Sequence, residues 1–196
     1  MAEAYDYLFL SLDGAGPAHR RLADALAAAG PAGGLVAQFT PQLGWAANEG
    51  AVLVRDGAPS AVFDVVAAKA TVVERHRLTP TARPADGASL KTGGIYVHRW
   101  FTVGAADVEE FVRLSAEAWP KFEGQFQTVI FGLFTADRTP ADLAADQTRL
   151  LLLTWYGDHG VWEASRDPTT ESMQIFLRRQ ALTRHTRACS TLLVGA

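Results

Sequence analysis

Apolar and polar positions switch between a period near two and a period near 3.6 along this chain, in the same order twice. Tyr5 to Leu12 alternates as a strand does, and Asp13-Gly14-Ala15-Gly16 ends it. Pro17 suits the first turn of a helix, where its missing N–H costs nothing. Ala18, Leu22, Ala25, Leu26 and Ala29 then recur at helical spacing, and Gly30-Pro31 is expected to stop that helix. Leu35 to Phe39 and Ala51 to Arg55 predict a hairpin, with Gly44, Asn48 and Gly50 as turn material between them. Pro59-Ser60 opens a second helix with Val62, Phe63, Val66, Ala67 and Ala70 on one face, and the β-branched run Thr71 to Leu78 predicts a fourth strand.

Thr79 to Gly94 holds two prolines, three glycines and little that is apolar, so it is expected to be a linker. The order then repeats. Ile95 to Val103 is a strong strand. Val108, Phe111, Val112, Ser115, Trp119 and Phe122 trace one side of a helix, with Glu109/Arg113 and Glu117/Lys121 spaced as ion pairs on its wet side. Thr128 to Phe134 is a strand, and Thr135 to Thr148 a polar excursion with a helical turn after Pro140. Arg149 to Tyr156 is apolar enough to be central. A turn at Asp158 to Arg166, a long helix from Thr170 to about Arg187 and a closing strand Ser190 to Val194 complete the set.

The fold class this predicts is α+β: a tandem duplication of ferredoxin-like βαββαβ units, residues 1–80 and 94–196, joined by a linker at 81–93. Each antiparallel sheet then has helices on one face and a bare face that must be buried. Packing two such sheets face to face forms an α+β barrel. Two arrangements satisfy this: the halves pack on each other, or each packs in a dimer, and a homodimer is expected.

Composition narrows the setting. Of 196 residues, 48% are hydrophobic and 20% charged, enough for a real core. A net charge of −3 is too mild to steer the chain onto nucleic acid, so no nucleic-acid partner is expected. The single cysteine, Cys189, excludes an internal disulfide and a cysteine-rich zinc site. The first residues carry no basic leader, and the apolar runs fall far short of the roughly 20 residues of a membrane span. The expected setting is cytoplasmic, with no membrane partner.

Several residues then mark a family. Ile95-Tyr96-Val97-His98-Arg99-Trp100-Phe101, the helix from Phe111 through Trp119-Pro120, Leu153-Thr154-Trp155-Tyr156 and Trp162-Glu163-Ala164-Ser165-Arg166 together resemble the NIPSNAP-like branch of the dimeric α+β barrel superfamily. The resemblance covers about half the chain, all in its second half. It implies a barrel with a lumen. It also opens a range of activities seen in that superfamily, from cofactor-independent quinol monooxygenases and haem-using enzymes to proteins of unassigned activity. Fold alone does not choose among them.

The candidate chemistry centres on Tyr96, His98 and Trp100, which share one face of their strand at period two. The other face is Ile95, Val97, Phe101 and Val103, with Arg99 the exception. The apolar face should meet the helices and the Tyr/His/Trp face should line the lumen. That gives a floor for a flat small-molecule ligand, with His98 as catalytic base or hydrogen-bond partner. Trp119 and one of Trp155 and Tyr156 are expected to join it. The plain alternative is a barrel filled by large side chains with satisfied polar tips.

Weaker candidates follow. Arg178, Arg179, Arg184, His185 and Arg187 look like an anion site, but a helical wheel disperses them, leaving Arg178 and His185 on nearly one line. His185 and Cys189 are four apart, as a metal pair or an activated thiol would be, though a buried inert thiol fits as well. His159 sits beside a helix-capping Asp158. The glycines after the first strand lack the third glycine of a dinucleotide site, and there is no G-x-S-x-G element. No catalytic signature emerges and no cofactor is expected. The leading reading is a ligand-binding barrel. Its rivals are a cofactor-independent monooxygenase using His98, a haem protein using His98, His159 or His185, and a structural protein with a filled lumen.

Overall fold

The structure, a computed structural model, describes residues 3–29, 34–85 and 87–194. Gly30-Pro31, expected to end the first helix, lie outside the described residues. The first unit runs β1 (Tyr5–Leu12), α1 (Gly16–Ala28), β2 (Leu35–Leu43), β3 (Glu49–Arg55), α2 (Ser60–Lys69) and β4 (Ala70–Arg83). The second runs β5 (Ile95–Gly104), α3 (Val108–Gln125), β6 (Thr128–Ala136), a short α4 (Pro140–Ala144), β7 (Gln147–Tyr156), a short α5 (His159–Ala164), α6 (Glu171–Gln180) and β8 (Thr183–Val194).

Period two along each strand decides which way every side chain faces. In β1, Leu8, Leu10 and Leu12 pack on Leu22 and Leu26 of α1 and Val62 and Val66 of α2, while Tyr5 and Tyr7 turn to the other side. In β5, Ile95, Val97, Phe101 and Val103 meet Phe111 and Phe122 of α3, and Tyr96 and Trp100 turn away. The two turned-away faces form one inner core with Phe39, Leu53, Leu78, Phe134 and Leu151, all fully buried. Each such side chain contributes about 1.5–3 kcal/mol by leaving water.

All eight strands close into one antiparallel barrel in the order β1-β3-β2-β8-β5-β7-β6-β4. The two sheets are stitched at two seams. β2 pairs β8 from Gln38↔Val194 to Leu43↔Ser190, and β4 pairs β6 from Leu78↔Ala136 to Arg83↔Leu133. The halves therefore pack on each other within a single chain, and a second copy is not needed to complete the barrel. A closed sheet also leaves no strand edge to pair elsewhere. Among the described residues no helix is long and apolar enough to cross a membrane.

β2 runs on to Leu43 and β3 takes in Gly50, expected to be turn, and two boundaries differ further from the expected ones. β4 continues through Pro80 to Arg83, inside the stretch expected to be linker, because Thr79 and Pro80 are held against Thr135 and Phe134 of β6. The long helix expected to reach Arg187 stops at Gln180, and β8 begins at Thr183. Arg184, His185, Arg187 and Cys189 are therefore strand residues, and the helical wheel does not apply to them. No glycine or proline separates helix from strand here: the cap residue Ala181 keeps a right-handed helical conformation.

The segment after β4 shuts one end of the barrel. Ala88 and Leu90 pack on the inner core, the Tyr96 hydroxyl donates to the Lys91 carbonyl at 2.8 Å, and Trp155 Nε1 donates to the Gly93 carbonyl at 2.7 Å. The Lys91 ammonium lies 3.8 Å from the Trp155 ring centre. Gly94 makes the turn into β5 at φ +59, and a Cβ there would run into the Tyr156 carbonyl and, at 2.7 Å, Trp155 Nε1. Gly94→Ala is expected to cost about 2–4 kcal/mol through strain and displacement of Trp155. Urea denaturation checks this, and a cost under about 0.5 kcal/mol would mean the closure is loose.

Candidate functional site

The opposite end of the lumen is open. A cavity of about 250 Å³ enters there, walled by Tyr7 and Phe9 of β1, Trp45, and His98 and Trp100 of β5. Glu74 and His76 of β4, Arg149 of β7, and His185 and Arg187 of β8 stand at its polar side. Trp45 reaches the mouth because Gly44, at φ +89, brings its loop against β8, where a Cβ would sit 3.1 Å from the Ala188 carbonyl. The Trp45 ring lies 5.1 Å from Phe9 and 5.2 Å from His98, centre to centre. Trp100 meets Tyr7 edge to face at 5.6 Å and His76 at 4.7 Å.

His98 is the polar centre of this wall and is fully buried. Tyr7 Oη lies 2.9 Å from its Nδ1, and Thr191 Oγ1 lies 3.0 Å from its Nε2. The direction of these bonds follows from proton counting. Thr191 spends its one hydroxyl proton on the Tyr96 carbonyl at 3.3 Å, so it accepts from Nε2–H. Nδ1 is then the acceptor, and Tyr7 donates to it. The result is a one-way chain from Tyr7 through His98 and Thr191 to the backbone. Burial lowers the His98 pKa to about 3, so the ring is neutral at physiological pH. Burial raises the Tyr7 pKa, as does nearby Cys189, and hydrogen bonding from Trp100 offsets part of the rise.

Cys189 is buried and its Sγ donates to the His98 carbonyl at 3.8 Å. Burial pushes its pKa up to about 12, which keeps the thiol protonated and unreactive. His185 stands at the exposed mouth, opposite Thr102. Among the described residues no three His, Cys, Asp or Glu side chains gather as metal ligands would.

The lumen thus brings together His98, Trp100, His185, Tyr96 and Trp155 among the residues singled out from the sequence. Tyr96 and Trp155 lie at the closed end and are packed there. Trp119 is instead in the helix–sheet core of the second unit, with the Arg83 guanidinium 5.1 Å over its ring. Tyr156 faces that same core, as alternation with Trp155 requires. Arg178 is at the surface and donates to Glu117 at 2.9 Å. His159 hydrogen-bonds Ser190 at 3.0 Å, away from the open cavity. Sequence reasoning missed Tyr7, Phe9, Trp45, Glu74 and His76, all from the first unit, and Arg149. Their signal was present: Tyr5, Tyr7 and Phe9 alternate with Leu8, Leu10 and Leu12.

Haem does not fit this lumen. Both nitrogens of His98 are committed to protein partners, and the cavity lies below the roughly 300–1,000 Å³ common for cofactor-sized ligands. His159 is held by Ser190 away from the open cavity, and His185 stands at its exposed mouth. Purified protein mixed with haemin is expected to show no more Soret shift than His98→Leu does. A shift lost in that variant would make His98 an axial ligand.

No protein-family model matches the sequence, and no curated protein matches it. Solved structures do match in shape. A putative monooxygenase from Fusobacterium nucleatum is 8% identical, with a TM-score of 0.70 over 99% of this chain and 93% of that one. An anthrone oxidase-like protein is 10% identical, with a TM-score of 0.66 over 100% of this chain and 92% of that one. An uncharacterised NIPSNAP domain protein from Burkholderia xenovorans is 19% identical over 52% of this chain and 94% of that one, at a TM-score of 0.39. At such identities the two long matches speak to fold alone. With the observed topology they make this chain an α+β barrel of two ferredoxin-like halves, similar in architecture to proteins of the dimeric α+β barrel kind.

Proposed function

We propose that the protein binds a small aromatic molecule in its barrel lumen. The observation that carries this is the cavity itself, walled by Tyr7, Phe9, Trp45 and Trp100, with His98 buried in its wall. Aromatic walls favour a flat apolar ligand, and the volume of about 250 Å³ favours one or two rings. Arg187 at the mouth has no ion-pair partner among the described residues, which favours an acidic hydroxyl or carboxylate on the ligand. The two repeats, residues 1–80 and 94–196, each supply part of the wall in this reading. The segment between them acts as the plug.

A second reading is cofactor-independent monooxygenation of a bound phenol, favoured by the Tyr7–His98 contact. The substrate hydroxyl would pass its proton to Tyr7 Oη as Tyr7 passes its own to His98 Nδ1. Alone, His98 is a poor base: charging it costs about 5 kcal/mol relative to a solvated imidazole. The step therefore needs the phenolate to form beside the imidazolium. Oxygen uptake with a quinol panel tests it, and a rate unchanged in His98→Leu would remove that role.

Cytoplasmic residence and a homodimer complete the proposal. Such a dimer would use outer surfaces such as the exposed Val72 and Val73 of β4. Light scattering at twice the chain mass supports the dimer, and a monomer mass ends it. For the ligand, a thermal-shift panel is decisive in kind. One- and two-ring phenols should raise Tm saturably, and aliphatic alcohols of equal size should not. Equal shifts from both classes would mean that the aromatic walls select nothing.

A further inference from the structure

We propose that a second cavity, on the outer face of β5 and β7 beneath α5 and α6, binds an apolar molecule with a carboxylate head. The cavity measures about 510 Å³ and is separate from the lumen. Arg99, Arg166 and Arg179 line it, and no Asp or Glu does.

Arg166 is exposed at the rim, but Arg99 and Arg179 are withdrawn from water and are hard to explain as structure alone. Arg99 breaks an otherwise apolar row, Ile95, Val97, Phe101 and Val103, that faces the helices. Arg179 is only 4% exposed on a helix whose end is open to water. None of the three has an ion-pair partner among the described residues, although Arg178, next to Arg179 on α6, pairs with Glu117. Arg179 Nη1 donates to Ser115 at 3.2 Å, but its Nε has no partner. Its guanidinium lies 4.4–5.1 Å from the rings of Phe176, Phe101 and Phe111, which ease the charge but accept no hydrogen bond in the guanidinium plane. Trp162 Nε1, on α5, is also buried without a partner. Every unmet polar group here is a donor.

Leaving like charges together in a poorly hydrated site is costly unless something compensates them. Burial pulls the Arg179 pKa down to about 9 and the Arg99 pKa to about 10, each helped by a neighbouring guanidinium, so both stay cationic at neutral pH. An anion held between them would compensate both charges. A guanidinium fork matches a carboxylate in two parallel bonds. The rest of the wall, Phe122, Ile130, Leu152, Met173 and Phe176, argues for an apolar body behind that head rather than a bare ion.

Decanoate tests this by calorimetric titration, with 1-decanol and inorganic phosphate as comparators. Saturable decanoate binding is expected, with both comparators weaker by at least about tenfold, the scale of one charge-assisted hydrogen bond. Arg179→Met and Arg99→Met should each lose at least about tenfold in decanoate affinity. Arg179→Met should melt no lower than the parent, because it removes an uncompensated charge. Should it not fold, Arg99→Met carries the test. Trp100→Ala, in the lumen, should leave decanoate binding unchanged. Equal binding of decanol, equal binding of phosphate, no binding, or loss in Trp100→Ala would each overturn the proposal.

Discussion

Between about pH 6.5 and about pH 4.5 the protein is expected to lose roughly 2–3 kcal/mol of stability on account of His98 alone. The folded ring resists protonation until about pH 3, while the unfolded chain takes up its proton near 6.5. The unfolded state therefore binds more protons throughout that window, and acid favours it. The contribution is fully present above the unfolded value and erodes as pH falls. His76, whose pKa burial and nearby Arg149 also lower, adds in the same direction. Carboxylates held below their usual range, such as Asp56, whose main cause is the Arg77 hydrogen bond, add only in stronger acid. Urea denaturation across the window isolates His98 by comparison with His98→Leu. At neutral pH that variant should be about 1–3 kcal/mol less stable, because the Tyr7 hydroxyl loses its acceptor. By about pH 4.5 the difference should vanish or reverse. Parallel pH profiles for the two proteins would mean that His98 is solvated and that the lumen floor is wet.

The second large effect concerns the ligand. Trp100→Ala should weaken binding of a two-ring phenol by about tenfold to a hundredfold, since a stacked aromatic contributes about 1–3 kcal/mol. Trp45→Ala should cost somewhat less, because its loop rather than a strand holds it. The two rings come from different elements: Trp45, from the β2–β3 loop, packs on His98, while Trp100, two residues along β5 from His98, packs on Tyr7 and His76. Stability should fall little in Trp45→Ala, whose ring is only partly buried. Calorimetry with 2-naphthol reads these losses. Unchanged affinity in both variants would move the binding site elsewhere.

Much of the fold was legible because alternation is a physical constraint. Tyr96, His98 and Trp100 share a face in any strand, and once the opposite face is apolar they must point inward. The same rule puts Tyr5, Tyr7 and Phe9 on the other wall, because Leu8, Leu10 and Leu12 between them take the helix side. The turn at Ala181 was not legible. Arg178 to Leu182 are good helix formers with no breaker, and only pairing of His185, Arg187 and Cys189 with Thr102, Trp100 and His98 makes a strand of them. That pairing also puts all three on the inner face. Trp119 was misplaced for a related reason: a helix face shows which side is buried but not whether the partner is lumen or outer sheet. Closure within one chain depended on the β2–β8 and β4–β6 seams, which join residues far apart in sequence and leave no local pattern.

The most direct test of the lumen site is the magnetic resonance of isotope-labelled histidine nitrogens during titration with 2-naphthol. The His98 Nδ1 and Nε2 signals should report one protonated and one bare nitrogen, and should move saturably as ligand fills the cavity beside Tyr7. His159, outside the open cavity, should not move. Saturable binding that leaves the His98 signals unmoved would contradict the account.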